Sequence, residues 1–215
     1  PPVGNLRWAP PVPIEPWEGI KDAQQFGPAC PQQARYGITE ASDQEDCLSL
    51  NVSVPRTKTK TSKKPMPVLV WIHGGAFVGG SSNLYRLDKL TREGQMVVVS
   101  VNYRIGTLGF MPHKAFDAAS NGGFGLLDQR EALRWVQRNI QQFGGDPHNV
   151  TVAGESAGAG SVCMHLSSAD KVQGLFHKAI VVSAACFQPM RNVDQAAQSV
   201  GAKVANDVGC ANAAD

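Results

Sequence analysis

The 215 residues are 42% hydrophobic, enough to bury one large core, so composition excludes a disordered chain and fits one domain or a piece of a bigger one. Twenty basic against 18 acidic residues leave a formal net charge of only +2. Much of the positive charge sits between Pro55 and Pro65, on Arg56, Lys58, Lys60, Lys63 and Lys64; with no aromatic residue among them the run reads as a solvated connector, and no nucleic-acid partner is expected.

The chain opens on "PPVGNLRWAPP" without Met, which leaves open whether a leader or part of the fold preceded it. The part before the basic run is rich in Pro and turn residues and predicts an irregular cap or an edge hairpin, with one strand in "LSLNVSV", Leu48 to Val54. Cys30 and Cys47 flank a polar loop in it. A disulfide there would imply an oxidising compartment; two unpaired thiols is the other reading. No CxxC or Cys/His spacing suggests a metal, and no apolar stretch approaches the ~20 residues of a membrane span.

Four short runs then read as strands covered on both faces, because apolar residues occupy consecutive positions: Val68 to Ile72, Val97 to Val101, Val150 to Ala153 and Ala179 to Val182. Between the second and third, "LLDQREALRWVQRNIQQF" predicts a helix with Leu133, Val136, Ile140 and Phe143 on one face, stopped by "GGDP". Alternating strands and helices imply a parallel sheet with crossovers. A further helix follows Ser156, with Val162 and Leu166 turned inward. Cys163 in that helix reads as a small buried thiol; Cys186 and Cys210 have no assignable partners.

Chemistry concentrates at Gly154-Glu155-Ser156-Ala157-Gly158, which fits G-x-S-x-G with a strand before and a helix after. Either the cluster is a tight structural turn, or it holds the Ser156 hydroxyl exposed above the sheet as a nucleophile; the strand-turn-helix context favours the second. A serine that attacks a carbonyl generates an oxyanion and needs backbone N–H donors nearby. The strand Val68 to Ile72 runs into a second Gly-rich segment, His73-Gly74-Gly75-Ala76-Phe77, that is suited to supply them.

Taken together, "GNLRWAPP", "EDCLSLNV", "PVLVWIHGGAF", "VNYRIGTLGF", the run from Gly125 to Val162 and "LFHKAIVVS" resemble, in this order, the type-B carboxylesterases and para-nitrobenzyl esterase-like proteins of the α/β-hydrolase superfamily. The resemblance covers Pro1 to about Ser183. It implies an α/β-hydrolase fold, a mostly parallel central sheet with helices on both faces, incomplete here: residues 1–215 would be the N-terminal part of a single domain truncated at both ends. It implies Ser156 as the acyl-forming nucleophile, an oxyanion hole of Gly75, Ala76 and Ala157 with Gly74 shaping the loop, and Glu155 as a carboxylate supporting the nucleophile from behind. Arg7 with Glu45, and Arg104 with Asp128, resemble the family's structural ion pairs, which argues against a catalytic Asp128. Cys30 and Cys47 match its first disulfide, and Cys210 resembles half of a later one.

The same resemblance implies a carboxylic ester hydrolase with a small-molecule ester substrate and no cofactor or metal. It also implies a gap: the orienting Asp or Glu and the general base His come later in the chain than the serine, and none of His73, His113, His148, His165 and His177 occupies the family's catalytic position. The acid and base are expected on a missing C-terminal segment or a second chain. Alone, these residues should show little activity and poor stability, because the sheet would end on an unpaired strand. The loop between Cys30 and Cys47 has no tryptophan, unlike the cholinesterases, so choline esters are not expected. Rival readings are a catalytically inactive binding or adhesion protein of the same fold, and a hydrolase of thioesters, lactones or amides. A Cys30–Cys47 bridge would make the protein secreted or periplasmic.

Overall fold

The computed structural model describes residues 2–34, 39–56, 64–187 and 192–210. Of the basic run, Lys58, Lys60 and Lys63 lie outside the described residues.

Five strands, β1 (Leu50–Ser53), β2 (Met66–Ile72), β3 (Val97–Val101), β4 (Gly145–Glu155) and β5 (Lys178–Val182), form one sheet in the order β1-β3-β2-β4-β5. All neighbours are parallel except β1, which pairs antiparallel with β3 through Leu50 to Val101 and Ser53 to Val98. The front part therefore contributes one edge strand. The connections are helical: α1 (Asp88–Gly94) between β2 and β3, α2 (Gly106–Phe110) and α3 (Phe124–Asn139) between β3 and β4, and α4 (Ala157–Ser167) between β4 and β5.

β-Branched residues give both faces of the inner strands something to bury. On one face Val68, Val70, Val99 and Val152 join Leu133, Val136 and Ile140 of the α3 side in a single core; on the other, Leu69, Val98 and Ala153 pack with Trp71, Leu87 and Met96. Each fully buried side chain of this kind is worth about 1.5–3 kcal/mol. β5 departs from the expectation of double cover: Ile180 is 48% exposed and Val182 38%. It is the last strand of the sheet, with a neighbour only on the β4 side among the described residues.

Three other expectations change in detail. Phe143 is 40% exposed: it ends the 3-10 turn Ile140–Phe143 that follows α3, with its ring against Trp135 at a centroid distance of 5.9 Å. Gly144, in the left-handed conformation at φ 79°, ends that turn, but the "GGDP" stretch is also the start of β4, since Gly145 already pairs with Met66. On α4, Leu166 is 46% exposed, whereas His165 is fully buried. The polar His165 can turn inward because Gln129 of α3 meets it: Nε2–H of the ring donates to Gln129 Oε1 at 2.9 Å, and Gln129 Nε2 donates to Ser161 Oγ at 3.0 Å.

The cysteines also need correction. Cys163 is not a free thiol and Cys186 does have a partner: the two form a disulfide, with Cα atoms 5.2 Å apart. Spacing alone does not reveal such a pair, because connectivity between distant cysteines is set by the fold. Cys30 and Cys47 are bonded to each other, Cα–Cα 4.9 Å, and Cys210 is exposed with no disulfide partner among the described residues.

Candidate active site

The site is assembled where β2 and β4 end side by side. The two strands are in register through Ile72 and Gly154, so the chain leaves the sheet at His73 and at Glu155–Ser156 on the same edge. Here the backbone is forced into unusual shapes. Ser156 has φ 54° and ψ −118°, and Ala76 and Phe77 have φ 54° and 61°. Left-handed conformations cost non-glycine residues about 1–3 kcal/mol each and persist where surroundings impose them. Ser183, directly after β5, is a fourth at φ 57°. All four line one cavity of about 680 Å³.

Close approach explains the small residues. A Cβ on Gly158 would lie 2.1 Å from the carbonyl oxygen of Ile72, so any larger residue there would push α4 off the sheet. A Cβ on Gly74 would lie 2.7 Å from Glu155 Oε2 and 3.1 Å from Ser156 Cβ, which shows how tightly the His73–Phe77 loop leans on the elbow.

Hydrogen bonds then decide which amides remain available. Ser156 N–H donates to Val182 O at 2.9 Å, and Gly74 N–H donates to Tyr85 Oη at 3.1 Å. Among the described residues the N–H groups of Gly75, Ala76 and Ala157 have no acceptor, and neither has the Ser156 hydroxyl a partner. Ala157 is the first residue of α4, where an unsatisfied N–H and the helix dipole both favour negative charge.

Glu155, next to Ser156, accepts through Oε2 from Tyr85 Oη at 3.3 Å. His73 does not face the cavity. It is buried and stacked 4.4 Å from Tyr103, with Nδ1–H donating to Gly74 O at 2.8 Å, while Tyr103 Oη donates to His73 O at 2.8 Å. Tyr85 and Tyr103 therefore brace the loop. So does Gln32, whose amide exchanges two hydrogen bonds with the backbone of Gly80 at 2.8 and 3.0 Å. Asn102, at the end of β3, accepts from Ser82 N–H and donates to Cys47 O, tying the disulfide loop to the same region. Sequence reasoning missed these polar braces. The one available signal was a polar residue directly after an apolar strand, as at Asn102.

Arg104 and Asp128 make a bidentate pair, Nε to Oδ2 at 2.8 Å and Nη2 to Oδ1 at 2.7 Å, with Arg104 N–H also donating to Oδ2 at 3.0 Å. Arg104 Nη1 continues to Arg7 O at 2.8 Å, and Arg7 pairs with Glu45 at 2.7 Å in a more solvent-exposed setting. Asp128 is thus engaged by Arg104 and is not among the residues that line the cavity with Ser156. His113, His148 and His177 are likewise outside the cavity, whose described lining contains no histidine and no charged side chain.

The description of the carboxylesterase family fits residues 1–215 of this chain. The chain belongs to the carboxylesterase family. Among curated members it is 47% identical over 191 residues to the para-nitrobenzyl esterase of Bacillus subtilis (strain 168), covering 86% of this chain and 38% of that protein. It is 40% identical over 223 residues to the fumonisin B1 esterase of Sphingopyxis macrogoltabida, covering 100% of this chain and 40% of the relative. A solved PNB esterase superposes with a TM-score of 0.84 at 42% identity, covering 97% of this chain and 43% of the other. The chain thus has the α/β-hydrolase fold and spans about two fifths of the length of these carboxylesterases.

Two buried rings give the carboxylesterase fold an expected acid sensitivity. Burial pushes His73 and His165 down to about 4, Arg130 adding to the effect at His165. In the unfolded chain both titrate near 6.5. Below that pH the unfolded state takes up protons that the folded state refuses, so stability falls as pH drops from 6.5 towards 4. The loss expected by pH 5 is about 2 kcal/mol per ring, above the range in which most carboxylates titrate. Urea midpoints of the whole protein at pH 7 and pH 5 test this; equal midpoints would contradict it.

Proposed function

We propose that the whole protein is a carboxylic ester hydrolase acting through an acyl-serine intermediate at Ser156, and that residues 1–215 are the N-terminal part of its single α/β-hydrolase domain. The observation that carries the reading is the unpartnered Ser156 hydroxyl on a left-handed elbow, in the same cavity as Ala76 and Ala157.

In this mechanism Ser156 Oγ attacks the ester carbonyl carbon and gives its proton to a general base. The carbonyl oxygen becomes an anion, held by the N–H groups of Gly75, Ala76 and Ala157. Collapse of the tetrahedral species breaks the ester C–O bond, and the alcohol leaves with the proton from the base. Water, deprotonated by the same base, then attacks the acyl-serine; the acid leaves and Ser156 regains its hydrogen. Glu155 and Tyr85 hold the loop and elbow together from behind, and the remaining ion pairs and the Cys30–Cys47 bridge support the scaffold.

The base and its orienting carboxylate come from a later segment or a second chain, a reading supported by the absence of any histidine from the described lining. Esterase relatives support a small-molecule ester as substrate. Two disulfides support a secreted or periplasmic protein. No helix among the described residues is long and apolar enough to cross a membrane.

The test is to treat the whole protein with a small organophosphonate and to assay p-nitrophenyl acetate. Stoichiometric phosphonylation mapped to Ser156, with loss of turnover, is the expected result. Labelling without turnover of any ester would favour another acyl substrate or a binding role, and an unlabelled Ser156 would remove the reading.

A further inference from the structure

The Cys163–Cys186 bridge lies in the wall of the cavity that holds Ser156. Cys163 is seven residues after Ser156, two turns along α4, and so on the same side of the helix. Cys186 is four residues after the end of β5. Between Val182 and Cys186 the chain turns through the left-handed Ser183, and Ser183, Ala184, Ala185 and Cys186 all line the cavity.

This segment is clasped at both ends to the nucleophile's own element. At one end Val182 O accepts the Ser156 N–H at 2.9 Å. At the other, Cys186 is covalently joined to α4. Between the clasps Ala184 and Ala185 make no hydrogen bond among the described residues. Among the described residues Phe187, the next residue, is 99% exposed, and the bridge is the restraint that keeps Ser183 to Cys186 against the cavity.

Resting on the ester-hydrolase reading, we propose that the Cys163–Cys186 disulfide is a specificity-determining wall: it pins the segment after β5 beside Ser156 and limits the bulk of the uncharged ester group that fits there. The ester class follows from the described lining, where Phe77, Leu126, Met164 and the disulfide are apolar, Ser167 and Ser168 offer hydroxyls, and no charged side chain stands among the described residues. Among the described residues the bridge takes no hydrogen bond from the Gly75, Ala76, Ala157 or Ser156 amides, so its loss changes selectivity before chemistry.

The experiment uses the whole protein. Non-reducing peptide mapping should find the Cys163 and Cys186 peptides linked. In a Cys163→Ala/Cys186→Ala variant the ratio of kcat/KM for p-nitrophenyl octanoate over acetate should rise about tenfold, within the range that hydrophobic pocket changes produce. Phosphonate labelling of Ser156 should persist in that variant. Treating the unmodified protein with a phosphine, which gives two electrons and leaves as its oxide while water supplies the oxygen and both thiol protons, should produce the same shift. The double variant should not respond to phosphine, which separates this bridge from Cys30–Cys47 and keeps a readout should the variant fail to fold. Unlinked peptides, or an unchanged octanoate-to-acetate ratio in phosphine-treated protein that still labels and turns over acetate, would overturn the proposal alone. Untreated protein that neither labels nor hydrolyses acetate would overturn it together with the hydrolase reading.

Discussion

Ser156→Ala in the whole protein is expected to lower turnover of p-nitrophenyl acetate by about four to six orders of magnitude while leaving KM within a few fold. On the proposed mechanism the substitution removes the atom that forms the acyl bond and nothing else. Ala157 N–H still begins α4, the Ser156 N–H to Val182 O bond is a backbone bond, and the hydroxyl has no partner to leave stranded. Fold and oxyanion donors therefore survive, and the residue of activity measures what binding and those donors achieve without a nucleophile. Steady-state kinetics with an unchanged circular dichroism spectrum is the check. A loss of less than about tenfold would show that ester cleavage does not pass through this serine.

Asp128→Ala is expected to cost about 3–5 kcal/mol of stability, because it leaves the Arg104 guanidinium buried without its counter-charge. Arg104 and Asp128 are 2% and 4% exposed, and both carboxylate oxygens are engaged by Arg104 at 2.7 to 3.0 Å. Burial pushes the Asp128 carboxyl up from its usual value while the Arg104 contacts oppose that shift. The loss should spread, since Arg104 also holds the carbonyl of Arg7 and so the start of the chain. Replacing Glu45 should matter far less, its partner Arg7 being open to solvent that screens the pair. Urea denaturation of the whole protein measures both; a cost near zero for Asp128→Ala would mean that the pair contributes no net stability.

What the sequence made legible was local. Four β-branched runs became β2 to β5, since consecutive apolar residues have few other folds available to them. The G-x-S-x-G elbow was readable because small residues are needed where Gly158 meets the Ile72 carbonyl. Long-range pairing was not legible. The antiparallel attachment of β1, the Cys163–Cys186 bond and the Gln32 and Asn102 braces each join residues distant in sequence, and a hydrophobicity pattern carries no trace of a partner's identity. The inward turn of His165 in place of Leu166 has the same origin: a buried imidazole is affordable only because Gln129, on another helix, supplies an acceptor. Phe143 falls in the 3-10 turn after α3, and such a change of helix type leaves no mark in composition.

The clustering of left-handed residues at Ala76, Phe77, Ser156 and Ser183 bears on how such a protein can evolve. A glycine would hold these backbone shapes without strain at Ala76, Ser156 and Ser183, so on the proposed function selection for heat tolerance alone would be drawn to residues on which reactivity depends; at Phe77 it would also remove a ring packed 4.8 Å from Phe110. On the proposed function, thermal adaptation that preserves activity must instead proceed through surface loops and helix ends, with these four positions held as a fixed cost that the rest of the fold carries.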